Sequence, residues 1–529
     1  MQFYGLTVDK FLDHAARWFG DKKIIGADNG SVSSRWGYSA IRTRSNYMSG
    51  ALRSLGLDVG DRLATLAWNT PHHFEIYFAA MGAGIVCHTL NPRFAADHLI
   101  AIINEAKDRA LAVSCDLAPM LGDILPLCPS IEQVIVIDGE AVSGVGHDGV
   151  LDYEQLLEER GVEVEWGKFD ELSPAGLCYT SGTTDRPKGV VYTHRSNYLH
   201  TLRALQADSV ALTSDDVLLL AVPMFHANGW GLPFAAPAAG STLLLPGRNL
   251  DGASLARLIR EESATIAVGV QSVWLGLADH LQATGEDLPS LKRVLIGGSS
   301  CPDSLLRRLE EVLKAEIQTS WGMTELSPIG TIAPPGAADG LARGSGRATM
   351  GLDLKLTDAA GETLPNQRSS QGHLKVKGHS VVDGYYGAET DVLDEEGYFD
   401  TGDLATIDEE GFLTICGRAK DLIKSGGEWI NPTEIESIVG THPAVRHVAV
   451  IAREDPKWGE RPVMIVETGK PIDPVALLEL LKGKVPDWWL PDEIVRVVQM
   501  PLSASGKIDK RQLRANHADK RLTTAAVGS

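Results

Sequence analysis

Apolar residues Val8, Phe11, Leu12, Ala15, Ala16 and Phe19 recur at helical spacing, and the pattern predicts an amphipathic helix over 7–19. A second helix is predicted over 38–57, ending near Gly56. The pattern then reads as strand 61–68, helix 74–83 and strand 85–90. Apolar strands follow at 111–114 and 134–138, with helical stretches between them. Four more strands are predicted at 217–221, 242–245, 266–270 and 293–296, with a helix at 304–313. Such alternation predicts an α/β body built on parallel sheets. Past 417–421 the texture changes to a capped helix 432–440, strands 445–453 and 463–467, helix 474–481 and strand 494–499. That stretch predicts a small α+β unit of about 110 residues, the size of a separate domain. No repeat is present, and the one compositionally biased stretch is the Ala/Gly-rich segment near 334–346.

A chain of 529 residues exceeds one compact core, so two or more domains are predicted. Hydrophobic residues at 44% and charged residues at 22% are ordinary for a soluble globular protein. Lys and Arg number 49 against 69 Asp and Glu, a net charge of −20. This argues against general nucleic-acid binding and attraction to anionic membranes, but not against a locally basic nucleotide site. The six cysteines are scattered without metal-ligand spacing and most have apolar neighbours, which predicts buried free thiols in a reducing compartment. Residues 1–10 show no basic region leading into an apolar run, so no signal peptide is read there. Pro223, His226, Asn228, Pro233 and Pro237 interrupt the longest apolar region, 217–246, so no integral membrane segment is predicted. The predicted location is cytoplasmic.

The densest candidate chemistry is Tyr179-Thr-Ser-Gly-Thr-Thr-Asp-Arg-Pro-Lys-Gly189. Apolar β-type runs at 175–178 and 190–192 flank it, predicting a strand–loop–strand hairpin. Hydroxyls of Thr180, Ser181, Thr183 and Thr184, with free backbone N–H groups, can surround phosphate oxygens, and Arg186 and Lys188 add positive charge. Gly182 and Gly189 let the main chain approach a ligand. No Lys-Ser/Thr follows a four-residue glycine spacing, so this is not a Walker loop.

The segment resembles the phosphate-binding signature of the adenylate-forming enzymes: acyl-CoA synthetases, luciferases and peptide-synthetase adenylation domains. Asp185 stands where glycine is usual. Six further segments resemble that family in the family's order, covering residues from about 170 to 510. Gly297-Gly-Ser299 and Gln318-Thr-Ser-Trp-Gly-Met-Thr-Glu325 resemble the adenine and acyl-adenylate segments. The resemblance implies that Gly297, Gly298, Ser299, Ser320, Trp321, Gly322, Met323 and Thr324 contact the nucleotide, with Trp321 in place of a common tyrosine. It also implies that Glu325, with Thr184, holds Mg²⁺, a hard ion suited to carboxylate oxygen.

Asp403, in Tyr398-Phe-Asp-Thr-Gly-Asp403, resembles the acid that accepts both ribose hydroxyls, and Arg418 the arginine on ribose and phosphate. Lys420 falls at the hinge. Lys424, Ser425, Gly426, Gly427, Glu428 and Trp429 resemble the glycine loop of the pantetheine tunnel, where Trp429 either lines the tunnel or anchors the loop. Lys507, in Ser503-Ala-Ser-Gly-Lys507, resembles the lysine that bridges carboxylate and α-phosphate oxygens during adenylation. Phe225, His226 and Trp230, with Val270 and Trp274 nearby, correspond to the acyl pocket, and Gln271 replaces a usual proline. His226 is expected to orient or gate the acid.

The implied architecture is a large domain, 1–418, with two stacked mostly parallel sheets and a distorted β-barrel, followed by a small mobile α+β domain, 419–529. The implied reaction joins a carboxylic acid to coenzyme A using ATP and Mg²⁺. His88-Thr-Leu-Asn-Pro-Arg93 and Trp321-Gly-Met-Thr-Glu325 look most like the medium-chain fatty acyl and methylthiopropionate ligases. Short-chain, branched or aryl-alkyl acids, other acceptors, a luciferase-like oxygenase, a non-catalytic acyl or nucleotide binder, and a homodimer stay open at this stage.

Overall fold

The computed structural model describes residues 1–2, 4–139, 150–180, 187–298, 301, 303–336, 344–503 and 507–517. By internal packing these residues divide into two units. One comprises 1–299, 309–354 and 376–399, and the other 300–308, 355–375 and 400–529.

The first unit holds two large sheets. One has seven strands in the order Val150–Asp152, Gln133–Ile137, Ala110–Ser114, Arg62–Leu66, Val86–Thr89, Pro174–Thr180 and Lys188–Thr193. All its neighbours run parallel except the last pair, which is antiparallel. The other has nine strands, and its central run from Glu316–Gly322 through Arg293–Gly297, Ile266–Val270, Val217–Leu220 and Thr242–Leu245 to Lys23–Asp28 is parallel. Antiparallel strands Ile329–Ile332, Arg347–Ala348 and Ser31–Gly37 finish its edges. One apolar core draws on both sheets, with Leu63, Ile135, Leu218, Leu243 and Ile266 all fully buried.

The predicted helices form at Asp9–Trp18, Tyr38–Ser54 and Pro71–Gly82. The last begins three residues ahead of the apolar pattern. Thr70 accepts a hydrogen bond from the His73 amide and Pro71 occupies the first turn, where a missing N–H costs nothing.

A four-stranded sheet, Leu352–Thr357, Gln371–Gly378, Phe399–Ile407 and Leu413–Arg418, has most of its residues in the second unit. A further five-stranded sheet joins Glu428–Ile430, Ile423–Ser425, Gly459–Thr468, Val445–Asp455 and Glu493–Val497. Helices Pro432–Val439 and Pro474–Leu481 bury Ile435, Val439, Leu477 and Leu481 in its core.

All six cysteines are free, but only Cys87, Cys128 and Cys178 are buried. Cys115, Cys301 and Cys416 are half-buried, a correction to the expectation from their apolar neighbours. Among the described residues no helix is long and apolar enough to cross a membrane.

Candidate active site

The candidate residues of the first unit collect at the carboxyl ends of its strands, where open α/β sheets place their ligands. Pro174–Thr180 and Lys188–Thr193 pair antiparallel with Thr180 opposite Lys188, so the predicted hairpin forms. Ser181, Gly182, Thr183 and Thr184 lie outside the described residues. Lys188 places its ammonium 4.6 Å from the centre of the Tyr385 ring. The Tyr385 hydroxyl donates to Glu325 Oε1 at 2.9 Å. The Glu325 carbonyl accepts from the Val382 amide, the Tyr386 amide reaches the Gly189 carbonyl, and the Tyr192 hydroxyl donates to the Thr324 carbonyl. Three chain segments distant in sequence thus meet at Glu325, which is 7% exposed.

Tyr385 escaped the sequence reading. Its only local signal is an aromatic pair between glycines, Gly384-Tyr-Tyr-Gly387.

Gly297 ends its strand against Ser320 and Trp230. A Cβ there would lie 2.6 Å from Ser320 Oγ and 2.8 Å from Trp230 Cη2, so glycine admits the indole edge. Ser320 Oγ donates to the Ile296 carbonyl. Gly298 follows with φ +87°, and Ser299 lies outside the described residues. The Trp321 ring is 9% exposed and packs where Gly330 has no Cβ. Gly322 similarly faces the Pro328 carbonyl, and Met323 bonds through its amide to that same oxygen.

Trp230 owes its position to an unusual backbone. Ala227, Asn228, Gly229, Trp230 and Gly231 all have φ between +44° and +74°. Left-handed backbone costs non-glycine residues roughly 1–2 kcal/mol each. Buried contacts hold the turn in place: Asn228 Oδ1 accepts from Cys178 Sγ at 3.3 Å, and its side chain is 1% exposed. Burial pushes the Cys178 thiol up to about 11, so it stays protonated as a donor.

Phe225 packs edge-on to Trp68, with Arg93 above its ring, and His226 is half-buried at the turn's start. Val270 ends its strand half-buried. Trp274 is fully buried, its indole N–H donating to the Leu295 carbonyl, so it supports the sheet end from beneath.

In the second unit Asp403 and Arg418 sit opposite each other on paired strands. Arg418 Nε meets Asp403 Oδ1 at 2.9 Å, while its other arm donates to the Thr401 carbonyl. The two residues, singled out separately in sequence, form one buried acid with its own cation. Lys420 follows in a short helical turn; burial pulls its ammonium below the ordinary lysine range, and Arg418 and Arg514 add to this against Asp421.

Ser425 and Glu428 pair across a two-residue turn in which Gly426 and Gly427 have φ +62° and +93°, the left-handed pair that a tight hairpin requires. Lys424 lies over the Trp429 ring at 5.5 Å, and Trp429 is 52% exposed. Lys507 is exposed, its carbonyl accepting from the Ser503 amide.

The AMP-binding enzyme family matches residues 12–386, and the C-terminal domain of AMP-binding enzymes matches 434–507. The chain belongs to the AMP-binding enzyme family. The resemblance read from the motifs is thereby borne out.

Among curated relatives, the 3-methylmercaptopropionyl-CoA ligase of Ruegeria lacuscaerulensis is 39% identical, over 97% of this chain and 98% of the relative. The medium-chain-fatty-acid–CoA ligase of Ectopseudomonas oleovorans is 38% identical over 97% and 96%. The solved anthranilate CoA ligase AuaEII, in complex with anthranoyl-AMP, superposes with a TM-score of 0.88 at 22% identity, covering 98% of both chains, and shows the same fold.

The residues of this AMP-binding enzyme fit Mg²⁺. Glu325 Oε1 is taken by Tyr385, and Oε2 carries no hydrogen bond among the described residues. Those residues also contain no cluster of three metal-ligating side chains. One carboxylate completed by phosphate oxygens and water is what Mg²⁺ accepts, since it dehydrates reluctantly.

Proposed function

We infer that this protein is an AMP-forming carboxylate–CoA ligase acting on a medium-chain aliphatic acid. The observation that carries the reading is the meeting of Lys188, Tyr385 and Glu325 beside the hydroxyl-rich hairpin. The apolar wall of Phe225, Trp230 and Val270 supports an aliphatic acid over a charged one, as do the ligases among its relatives.

The acid's carboxylate oxygen attacks the α-phosphorus of ATP, the bond to the β-phosphate bridge breaks, and pyrophosphate leaves. The sulfur of coenzyme A then attacks the acyl carbonyl and expels AMP. Little covalent work falls to side chains; positioning and charge compensation dominate. Lys188 and the hydroxyls of Thr180, Ser181, Thr183 and Thr184 hold phosphates, Glu325 holds Mg²⁺, Asp403 and Arg418 take the ribose, and Lys507 meets the charge that builds during adenylation. The proposed domains are 1–418 and 419–529, with Lys420 at the hinge and the Ser425–Gly427 loop serving the thiol step. Six free cysteines fit a cytoplasmic location.

The test is pyrophosphate release across a panel of carboxylic acids, with and without coenzyme A. Release with no acid, or a product that ignores coenzyme A, overturns the reading. Lys507→Ala is expected to abolish adenylation yet spare thioester formation from supplied acyl adenylate; equal loss of both steps contradicts the assigned role.

A further inference from the structure

His200 and Arg203 stand three residues apart on the helix His194–Ala204, hence on one face of it. Both are buried, at 1% and 2% exposure. Arg203 Nη2 donates to the Leu326 carbonyl at 3.4 Å and also to the Ile329 carbonyl. These carbonyls bracket Ser327 and Pro328, directly after Glu325. Arg203 Nε and Nη1 have no hydrogen-bond partner among the described residues, and burial alone, with no carboxylate among its causes, lowers the pKa of the guanidinium. His200 Nε2 accepts from the Ile329 amide at 3.0 Å, which assigns the ring proton to Nδ1. Nδ1 has no partner among the described residues and lies 2.7 Å from where a Cβ on Gly231 would stand. Gly231 closes the left-handed turn that carries Trp230.

A buried guanidinium without a carboxylate is unfavourable, and an apolar side chain of similar volume would serve packing better. Arg203 Nη2 and His200 Nε2 instead bond to the turn that follows Glu325, and the His200 ring also lies against Gly231 of the Trp230 turn. Tyr192, Ser327 and Ser380 bind the same turn from other sides, through the carbonyls of Thr324, Ser380 and Leu326. We propose that His200 and Arg203 are positioning residues that fix the metal-binding acid and the acyl wall in one register. The proposal rests on the ligase reading given above. It predicts that loosening this helix face moves the Mg²⁺ requirement and the acid preference together, although neither residue touches either ligand.

The test uses the full chain with Arg203→Met, Arg203→Lys, His200→Leu and His200→Gln; the glutamine oxygen can still accept from the Ile329 amide. ATP binding is measured by calorimetry as Mg²⁺ is titrated, and pyrophosphate release is measured against Mg²⁺ and against acid. Arg203→Met and His200→Leu are expected to raise half-saturating Mg²⁺ about tenfold or more, the usual effect of losing a support behind a metal ligand. The acid KM rises in the same variants, while Arg203→Lys and His200→Gln recover part of both. A lowered melting temperature with Mg²⁺ half-saturation and acid KM unmoved overturns the proposal. If Arg203→Met does not fold, the His200→Leu and His200→Gln pair decides. If the unaltered protein neither binds ATP with Mg²⁺ nor releases pyrophosphate with any acid, it is the ligase reading that fails instead.

Discussion

Replacing Gly297 by alanine probes the proposed acyl wall with a single methyl group. Its Cβ would lie 2.6 Å from Ser320 Oγ, 2.8 Å from Trp230 Cη2 and 3.1 Å from Trp230 Cζ3. Carbon atoms rest at about 3.5 Å, so the indole edge must retreat by roughly 0.7 Å. Ser320 can rotate away, but it gives up its bond to the Ile296 carbonyl, a net loss of about 1 kcal/mol. Trp230 has less freedom, because its backbone belongs to the left-handed turn and its ring is 8% exposed. Overpacking of this kind costs about 1–3 kcal/mol. If the indole contacts the acid, that energy appears as a rise in acid KM of about 5- to 100-fold, at 1.4 kcal/mol per tenfold. The assays are pyrophosphate release across acids of increasing chain length and a calorimetric melt, in which a drop of a few degrees is expected. Adding Trp230→Leu should restore the melting temperature and shift preference toward bulkier acids. A lowered melting temperature with acid KM and chain-length order unchanged would refute the placement of Trp230 at the acid.

Tyr385→Phe removes the bond to Glu325 Oε1 but keeps the ring beneath Lys188. A hydrogen bond to a charged group is worth about 1.5–3 kcal/mol, so pyrophosphate release should slow about 10- to 100-fold; an unchanged rate would remove Tyr385 from the site. His72 supplies a pH test: burial lowers its pKa, but hydrogen bonds to Asp138 and Glu154 outweigh this and raise it to about 10. Its stabilisation is complete below the unfolded value near 6.5 and fades as pH rises toward about 10. The urea midpoint should fall over that window more steeply than in His72→Gln, and parallel curves would contradict the assignment.

The sheets were legible because apolar runs bounded by turn residues have few alternatives. Strands Thr242–Leu245 and Ile266–Val270 fall where the pattern placed them, as does the helix Pro474–Leu481. The hairpin proposed to hold phosphate was legible for the same reason, since β-type residues flank its loop on both sides. Lys23–Asp28 and Ser31–Gly37 went unread: the second alternates exposed and half-buried residues and carries little apolar signal. Pairing was less visible than elements. Asp403 and Arg418 were singled out one at a time, and only strand register joins them. Tyr385 lies 60 residues from Glu325, beyond any periodic signal.

The left-handed turn at 227–231 shows why a proposed acyl wall can hide from local reasoning. Glycine occupies two of its five positions, so propensity argues against three residues adopting the backbone they adopt. Their conformation is imposed from outside, by Cys178 and Tyr77 on Asn228 and by His200 against Gly231. Local strain persists where surrounding contacts overdetermine it, and here those contacts come from a neighbouring strand and two helices. Ala227, Asn228 and Trp230 together hold several kcal/mol at the per-residue cost of about 1–2 kcal/mol. Relaxing the turn would swing the indole off Gly297, so the strain and the position of Trp230 stand or fall together.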